Sequence, residues 1–232
     1  MKKWNALPDF LKVKEVEAYY VKIKRKGFSR FIKRAFDLFV AFVFFLILCV
    51  PMLIIGFLVK VTSRGPVFYC QKRIGIYGKT FGIFKFRTMI KDADKVGNLI
   101  TSKNDSRITG FGKFLRKTKL DEIPQILNIL AGDMSFVGTR PEVSKYVDMY
   151  TPEMRATLLM RPGVTSTASI KYRDENDMIP SDNTLSEDET YMSLIVPKKM
   201  KYNLEYLTKF NLFLDMGIMF KTFFSMFKRN KK

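Results

Sequence analysis

The sequence predicts an α+β protein held monotopically on a membrane, with a re-entrant amino-terminal helix hairpin, a compact cytoplasmic domain and interfacial amphipathic helices. Three observations carry this reading. Residues 38–59 form an uncharged run of 22 residues interrupted by Pro51. Basic residues stand on both sides of that run. Between positions 62 and 172, short strand-like and helix-like periodicities mix within a stretch the size of one domain.

Residues 1–30 form a basic extension, read as helical or loosely ordered and lying near the surface. Val13, Val16, Tyr19, Tyr20 and Ile23 would place an apolar stripe on a helix there. Residues 31–61 form the membrane element. As a helix the uncharged run would be about 33 Å long, close to the thickness of a bilayer's hydrocarbon core. A proline within a helix lacks the amide hydrogen and crowds the carbonyl four residues back, so a kink or break is expected at Pro51. Lys33 and Arg34 precede the run, and Lys60, Arg64, Lys72 and Arg73 follow it. Positive flanks at both ends place both on the cytoplasmic side, which favours a hairpin over a single kinked span. The run is preceded by more than thirty mostly polar residues and followed by no small-residue cleavage site, so a signal peptide is not expected.

The compact domain extends over residues 62–200. Residues 66–71 and 81–87 read as strands, with Gly75, Gly78 and Gly82 marking turns. A helix is expected to begin around Leu120: Ile123, Ile126, Leu127 and Leu130 recur at helical spacing, Pro124 suits the first turn and Gly132 the end. Residues 174–190 hold seven acids and no base, which reads as an exposed loop turned away from anionic lipid. Residues 201–232 complete the chain. Across 202–227 the apolar residues return, interspersed with Lys209, Asp215 and Lys221, so an interfacial amphipathic helix ending in the basic tail 228–232 is expected. The competing reading is a helix packed on the domain core.

Forty-one Lys and Arg against 22 acids give a net charge of +19 over 232 residues. Eleven of the bases fall within positions 1–34. Clusters of this kind beside an apolar segment fit anionic lipid, each base adding about 1 kcal/mol near the surface. They also occur in nucleic-acid binders, but no aromatic–basic binding module stands out. Histidine is absent, which removes the commonest general base and most zinc sites. Cys49 and Cys70 have no paired ligand spacing and imply no oxidising compartment.

Asp121 and Glu122 are adjacent acids ahead of the expected helix. At a helix start, both can approach one cation or phosphate, and the exposed amides there favour negative charge. Simple capping explains the pair equally well. Arg87, Arg140 and Arg161 each sit beside an expected turn. The planar guanidinium makes paired hydrogen bonds to phosphate oxygens, so three of them at turn boundaries suggest a pyrophosphate site. Arg116 and Lys119 would add positive potential, and Lys85 is a further candidate for phosphate. Asp133, after Gly132, is a turn former or a supporting contact. The glycines match neither a phosphate loop nor a dinucleotide fingerprint.

On these residues the chain resembles the bacterial sugar transferases that act on polyprenyl phosphate, of the small single-hairpin type. The matching stretches are KRAFD (33–37), GPVFYCQKRIG (65–75), FGIFKFRTM (81–89), ITGFGKFLRKTKLDEIPQILNILAGDMSFVGTRPE (108–142) and RPGVTS (161–166). The resemblance covers about residues 31–227. It implies that the cytoplasmic domain is catalytic and that a sugar-1-phosphate passes from a UDP-sugar to undecaprenyl or another polyprenyl phosphate, releasing UMP at the start of surface-glycan assembly. It further implies Asp121 as nucleophile, Glu122 as its partner in holding Mg²⁺, and Arg87, Arg140 and Arg161 near the phosphates. Lys33, Arg34 and Asp37 match the start of the re-entrant helix, and Pro51 its break. Two departures stand out. Val50 replaces the serine usual before that proline, and VTS follows Arg161-Pro-Gly where a Gly-Trp run is common. Two rivals remain at this stage: a metal-dependent hydrolase of lipid-linked pyrophosphates and a non-enzymatic, membrane-anchored basic scaffold.

Overall fold

A computed structural model describes residues 1–93, 105–173 and 187–227. Most of the acidic stretch 174–190 and the basic tail 228–232 lie outside the described residues. Two short 3₁₀ turns, Trp4–Ala6 and Asp9–Leu11, lead into α1 (Lys14–Arg25) and then α2 (Gly27–Thr62). An antiparallel hairpin follows, β1 (Phe68–Ile74) and β2 (Thr80–Phe86), in the register Phe68↔Phe86, Gln71↔Ile83 and Ile74↔Thr80. Next come α3 (Gly110–Thr118), a 3₁₀ turn Leu120–Glu122, α4 (Gln125–Ala131), β3 (Ser135–Val137) and α5 (Ser144–Val147). A 3₁₀ stretch Met154–Leu159 leads to β4 (Gly163–Thr165), which pairs in parallel with β3, and to α6 (Thr167–Lys171). The chain ends with α7 (Glu187–Thr190), a π-helical stretch Tyr191–Ile195, α8 (Val196–Lys209) and α9 (Leu212–Phe227). Helices mixed with one hairpin and one short parallel pair are the α+β class expected.

Residues 1–30 are partly helical, as expected, and most of them are exposed, but one face of the segment is packed on the domain. Leu7, Leu11, Val16, Tyr20 and Ile23 are all buried, in one cluster with Leu158, Leu159, Leu207 and Phe210. Trp4 packs edge-on against Tyr20 at 5.0 Å, and the Phe10 ring lies where a Cβ on Gly78 would stand, 2.6 Å away. The stripe on α1 is real, but it faces the domain core.

Helix α2 continues through Pro51 as one helix of 36 residues, so the expected two-helix hairpin is not observed. What the structure does show is where both halves of α2 lie. Near its start, Arg34 donates to the carbonyls of Ile129 (2.9 Å) and Met134 (3.3 Å), and Asp37 accepts from Ser135 Oγ at 2.7 Å and Phe136 N at 3.2 Å. Ala41 packs with Ile83, Ile126 and Ile129, while Met52 and Val59 pack with Phe86 and Leu115. At the far end Arg87 caps the helix through the carbonyls of Val59 (3.3 Å) and Ser63 (2.7 Å). The same domain therefore holds the helix from end to end. The opposite face is apolar and open: Phe39, Leu53 and Phe57 are each about two-thirds or more exposed.

The region 202–227 is two helices, not one. Phe210 leaves helical geometry (φ −49°, ψ 137°), and the Asn211 side chain accepts from Leu214 N at 2.9 Å to start α9. Of the two sequence readings, packing on the domain core holds for one face of α9. Ile218 and Asp215 of α9 are buried against the core, while Phe213, Phe220 and Phe224 point outward, Phe213 being 85% exposed. Asp215 anchors α9: its Oδ2 lies 2.7 Å from Lys33 Nζ and its Oδ1 accepts from Tyr206 OH at 2.7 Å. Lys33 Nζ is also 3.9 Å from Asp37, so one buried cation ties α2, α9 and, through Asp37, β3 together. Breaking such a buried pair from one side leaves an uncompensated charge, costing about 3–5 kcal/mol.

Candidate active site

Lys119 ends α3 in the left-handed conformation (φ 59°), which reverses the chain into the 3₁₀ turn carrying Asp121 and Glu122. A non-glycine residue there is uncommon and holds local strain. Pro124 then caps α4, and Gly132 (φ 93°) closes it with Asp133 N donating to the Asn128 carbonyl, so Asp133 serves the turn. This geometry splits the single helix expected from Leu120. Asp121 and Glu122 therefore sit on a tight turn rather than on a helix body, where neighbours would diverge by about 100°.

The two carboxylates have different environments. Glu122 Oε1 accepts from Lys85 Nζ and from Arg140 Nη2, each at 2.7 Å. Burial opposes the Glu122 charge, but Arg140 and Lys85 outweigh it and hold the carboxyl well below the usual range. Asp121 is also buried, yet its Oδ1 has no hydrogen-bond partner. Burial pushes its pKa up, Lys85, Lys119 and Arg116 offset this only in part, and the Glu122 charge adds to the rise. Lys85 is pushed down by burial, against the pull of Glu122. Neighbouring acids driven apart in this way take different roles. Glu122 is engaged as an anchor for two cations, whereas Asp121 keeps an unengaged oxygen.

Both acids line a cleft of about 580 Å³, within the range of small-molecule sites. Eight Lys and Arg side chains line it against Asp92, Asp121 and Glu122, an excess suited to a diphosphate. Arg116 is held in place by its Nε donating to Thr88 Oγ1 at 2.8 Å. Among the described residues no group of three or more metal-ligating side chains occurs. Mg²⁺ is commonly held by one or two carboxylates plus substrate phosphates, so Asp121, with its unpartnered oxygen, and Glu122, whose two ion pairs both fall on Oε1, are a donor set that fits it.

The family model described as "Bacterial sugar transferase" matches residues 28–229. This chain belongs to the bacterial sugar transferases. Within the family it is 36% identical over 206 residues to a UDP-glucose:undecaprenyl-phosphate glucose-1-phosphate transferase of Escherichia coli (strain K12), covering 87% of this chain and 41% of that protein. It is 33% identical over 195 residues to a UDP-N-acetylgalactosamine-undecaprenyl-phosphate N-acetylgalactosaminephosphotransferase of Aeromonas hydrophila, covering 83% and 43%. The exopolysaccharide production protein ExoY of Sinorhizobium fredii (strain NBRC 101917 / NGR234) is 33% identical over 205 residues, with 82% and 83% covered. The chain thus spans about two-fifths of the length of the first two relatives and most of the third.

Of the site residues read from the sequence, Lys85, Arg116 and Arg140 gather around Asp121 and Glu122 in the cleft. Arg87 also lines the cleft, but its Nη atoms donate to the carbonyls of Val59, Ser63 and Pro66 and to Ser63 Oγ. Arg161 is not among the cleft residues. Its Nε donates to the Gly132 carbonyl at 2.7 Å, at the same end of α4 that Arg34 caps. Sequence reading missed Arg73. It binds Gln71 Oε1 at 2.7 Å, the Pro141 carbonyl at 3.2 Å and Glu142 Oε2 at 3.4 Å, and so fixes the loop that delivers Arg140. The signal was the period-2 alternation Tyr69, Gln71, Arg73, all on the cleft face of β1, which a strand ended at Gln71 cut short.

Proposed function

We propose that this chain transfers a sugar-1-phosphate from a UDP-sugar to polyprenyl phosphate, such as undecaprenyl phosphate, at the start of an exopolysaccharide or another surface glycan. The observation that carries the reading is the buried Asp121 with an unpartnered carboxylate oxygen in a cleft lined by cations. The names of the E. coli and A. hydrophila relatives support the donor and acceptor classes. Asp121 attacks the sugar-bearing phosphorus of the donor. A P–O bond forms to the carboxylate, the P–O–P bridge breaks, and UMP leaves with the bonding electron pair. A phosphate oxygen of the lipid then attacks the same phosphorus and returns the carboxylate. Arg116 and Arg140 stand where charge develops on the phosphoryl oxygens, and Lys85 and Arg140 keep Glu122 fixed beside them. Mg²⁺, held by Asp121 and Glu122 with the donor's diphosphate, would supply further neutralisation of that charge. Donor supplied without lipid acceptor is expected to release one equivalent of UMP per enzyme. No release, or release only with acceptor present, would favour direct transfer in one ternary complex.

The membrane placement follows from the acceptor. A polyprenyl tail leaves the bilayer at a cost of about 0.8 kcal/mol per exposed CH₂, so the enzyme works where the lipid phosphate lies. The outward apolar faces of α2 and α9 support a monotopic attachment to the inner membrane. The packing of both halves of α2 on one domain supports a topology with both ends on one side, and the basic flanks support the cytoplasmic one. Cysteines introduced at positions 28 and 62 are expected to resist an impermeant thiol reagent in intact cells. Labelling of either would overturn the topology.

A further inference from the structure

Glu142, two residues after Arg140, is held from three elements. Its Oε2 lies 3.4 Å from Arg73 Nη1 of β1, and its backbone carbonyl accepts from Ile74 N at 2.9 Å. Its Oε1 accepts from Tyr191 OH at 3.0 Å and lies 4.0 Å from Lys199 Nζ of α8. Lys199 Nζ in turn donates to Tyr191 OH at 2.9 Å. Tyr191 and Lys199 are 7% and 6% exposed. A lysine buried this deeply needs a paired charge, and here Glu142 supplies it. The π-helical stretch Tyr191–Ile195 helps bring the two side chains together. Across eight residues an α-helix would leave them about 80° apart, and a π-helical stretch turns less per residue. Such stretches occur frequently at functional sites.

The loop that ends at Glu142 delivers Arg140 to the cleft. Its other end is pinned to β4: Gly138 N donates to the Thr165 carbonyl at 3.0 Å, and Gly163 N donates to the Thr139 carbonyl at 2.9 Å. Pro141 restricts the backbone of Arg140 to extended geometry. Between these fixed points the Arg140 side chain runs to Glu122, its Nη2 lying 2.7 Å from Oε1. Neither Tyr191 nor Lys199 is among the cleft residues, so any effect they have on the reaction is indirect.

We infer that Lys199 and Tyr191 are positioning residues for Arg140, acting through Glu142. They fix the Glu142 carboxylate, Glu142 fixes the end of the loop, and the loop sets where the Arg140 guanidinium meets the donor's phosphoryl oxygens. A misplacement of about 1 Å can cost about 100-fold in rate. This rests on the reading of the cleft as a sugar-phosphate transfer site in which Arg140 acts. Without Lys199, Glu142 still faces Arg73, so no buried acid is left unpaired.

The test measures kcat, donor KM and melting temperature for Lys199→Met and Tyr191→Phe in the full-length, membrane-reconstituted protein. The assay reads UMP release from a UDP-sugar with undecaprenyl phosphate and Mg²⁺. Each variant is expected to lower kcat about 10-fold with the donor KM unchanged, the pattern of an interaction lost in the transition state. Tyr191→Phe removes one hydroxyl and serves where Lys199→Met does not fold. Met192→Ala, in the same buried cluster as Tyr191, is the control: it should lower the melting temperature at least as much as Tyr191→Phe and keep the parent's kcat. Arg140→Ala sets the ceiling for an effect that runs through Arg140. An unchanged kcat in the folded variants would overturn the inference. So would a kcat loss in Met192→Ala that tracks its melting temperature as theirs does, or a loss larger than that of Arg140→Ala. A parent that releases no UMP sinks the transferase reading and this inference together. A parent that turns over beside unmoved variants sinks this inference alone.

Discussion

Asp121→Asn is expected to abolish the UMP burst and lower transfer by at least about 10⁴-fold, the scale on which loss of a nucleophile acts in other covalent enzymes. The amide has the volume of the carboxyl but cannot form the acyl phosphate. The same change should leave the fold intact or firmer. Asp121 Oδ1 makes no hydrogen bond, and burial raises the carboxyl's pKa above its ordinary value. A carboxyl raised in the folded state opposes folding above that pKa, because the native protein then carries a poorly solvated charge. The opposition fades as pH falls and the native state takes up the proton. The variant should therefore melt at or above the parent temperature at neutral pH, and the difference should shrink on acidification. The parent's rate should decline in the same acid window, since the protonated carboxyl does not attack. Glu122→Gln provides the contrast. Glu122 anchors both Lys85 and Arg140, so its loss should cost stability as well as rate. Melting curves beside burst measurements check both. Retained turnover in Asp121→Asn would remove this residue as the nucleophile.

The contrast between these two acids could not be read along the chain, where they are simply neighbours. It depends on Lys85 arriving from β2 and Arg140 from the loop after β3, partners 37 and 18 residues away from Glu122. What the sequence carried well was local. The alternation around β1 and β2, the Gly132 stop and the apolar stripe of α1 all come from the 2.0 and 3.6 periodicities of single elements. It carried poorly whatever tertiary packing decides. Pro51 signals a break in any isolated helix. In the folded chain, packing of Ala41, Met52 and Val59 along the domain supports one helix on both sides of it. Arginines beside turns were read alike, yet turns also hold free carbonyls. Arg87 and Arg161 face those of α2 and of α4, while Arg140 faces a carboxylate.

Removing residues 1–25 is expected to be as damaging to folding as Asp121→Asn is to catalysis. The match to the family begins at residue 28, so by that criterion the segment is an accessory. Packing says otherwise. Leu7, Leu11, Val16, Tyr20 and Ile23 are buried in the cluster that holds Leu158, Leu159, Leu207 and Phe210. Burying each such side chain contributes about 1.5–3 kcal/mol, so the five together supply roughly 8–15 kcal/mol before the cost of ordering the segment. The net stability of a whole domain is about 5–15 kcal/mol. Deletion would also expose the apolar seats on the 3₁₀ stretch Met154–Leu159 and on α8, and such surfaces aggregate. The truncated chain should appear in aggregates or be digested rapidly by protease, while Leu11→Ala alone should lower stability by about 2–5 kcal/mol without loss of the fold. A truncated protein with the parent's melting temperature would show that this core closes without its amino-terminal side. The charges allow the basic segment to serve the membrane as well, since Lys22, Lys24 and Arg25 are exposed on α1 while Val16, Tyr20 and Ile23 face inward. A variant with those three bases neutralised should fold normally and bind anionic vesicles more weakly. That outcome would assign lipid binding to the outer face of α1 and leave the inner face to hold the domain together.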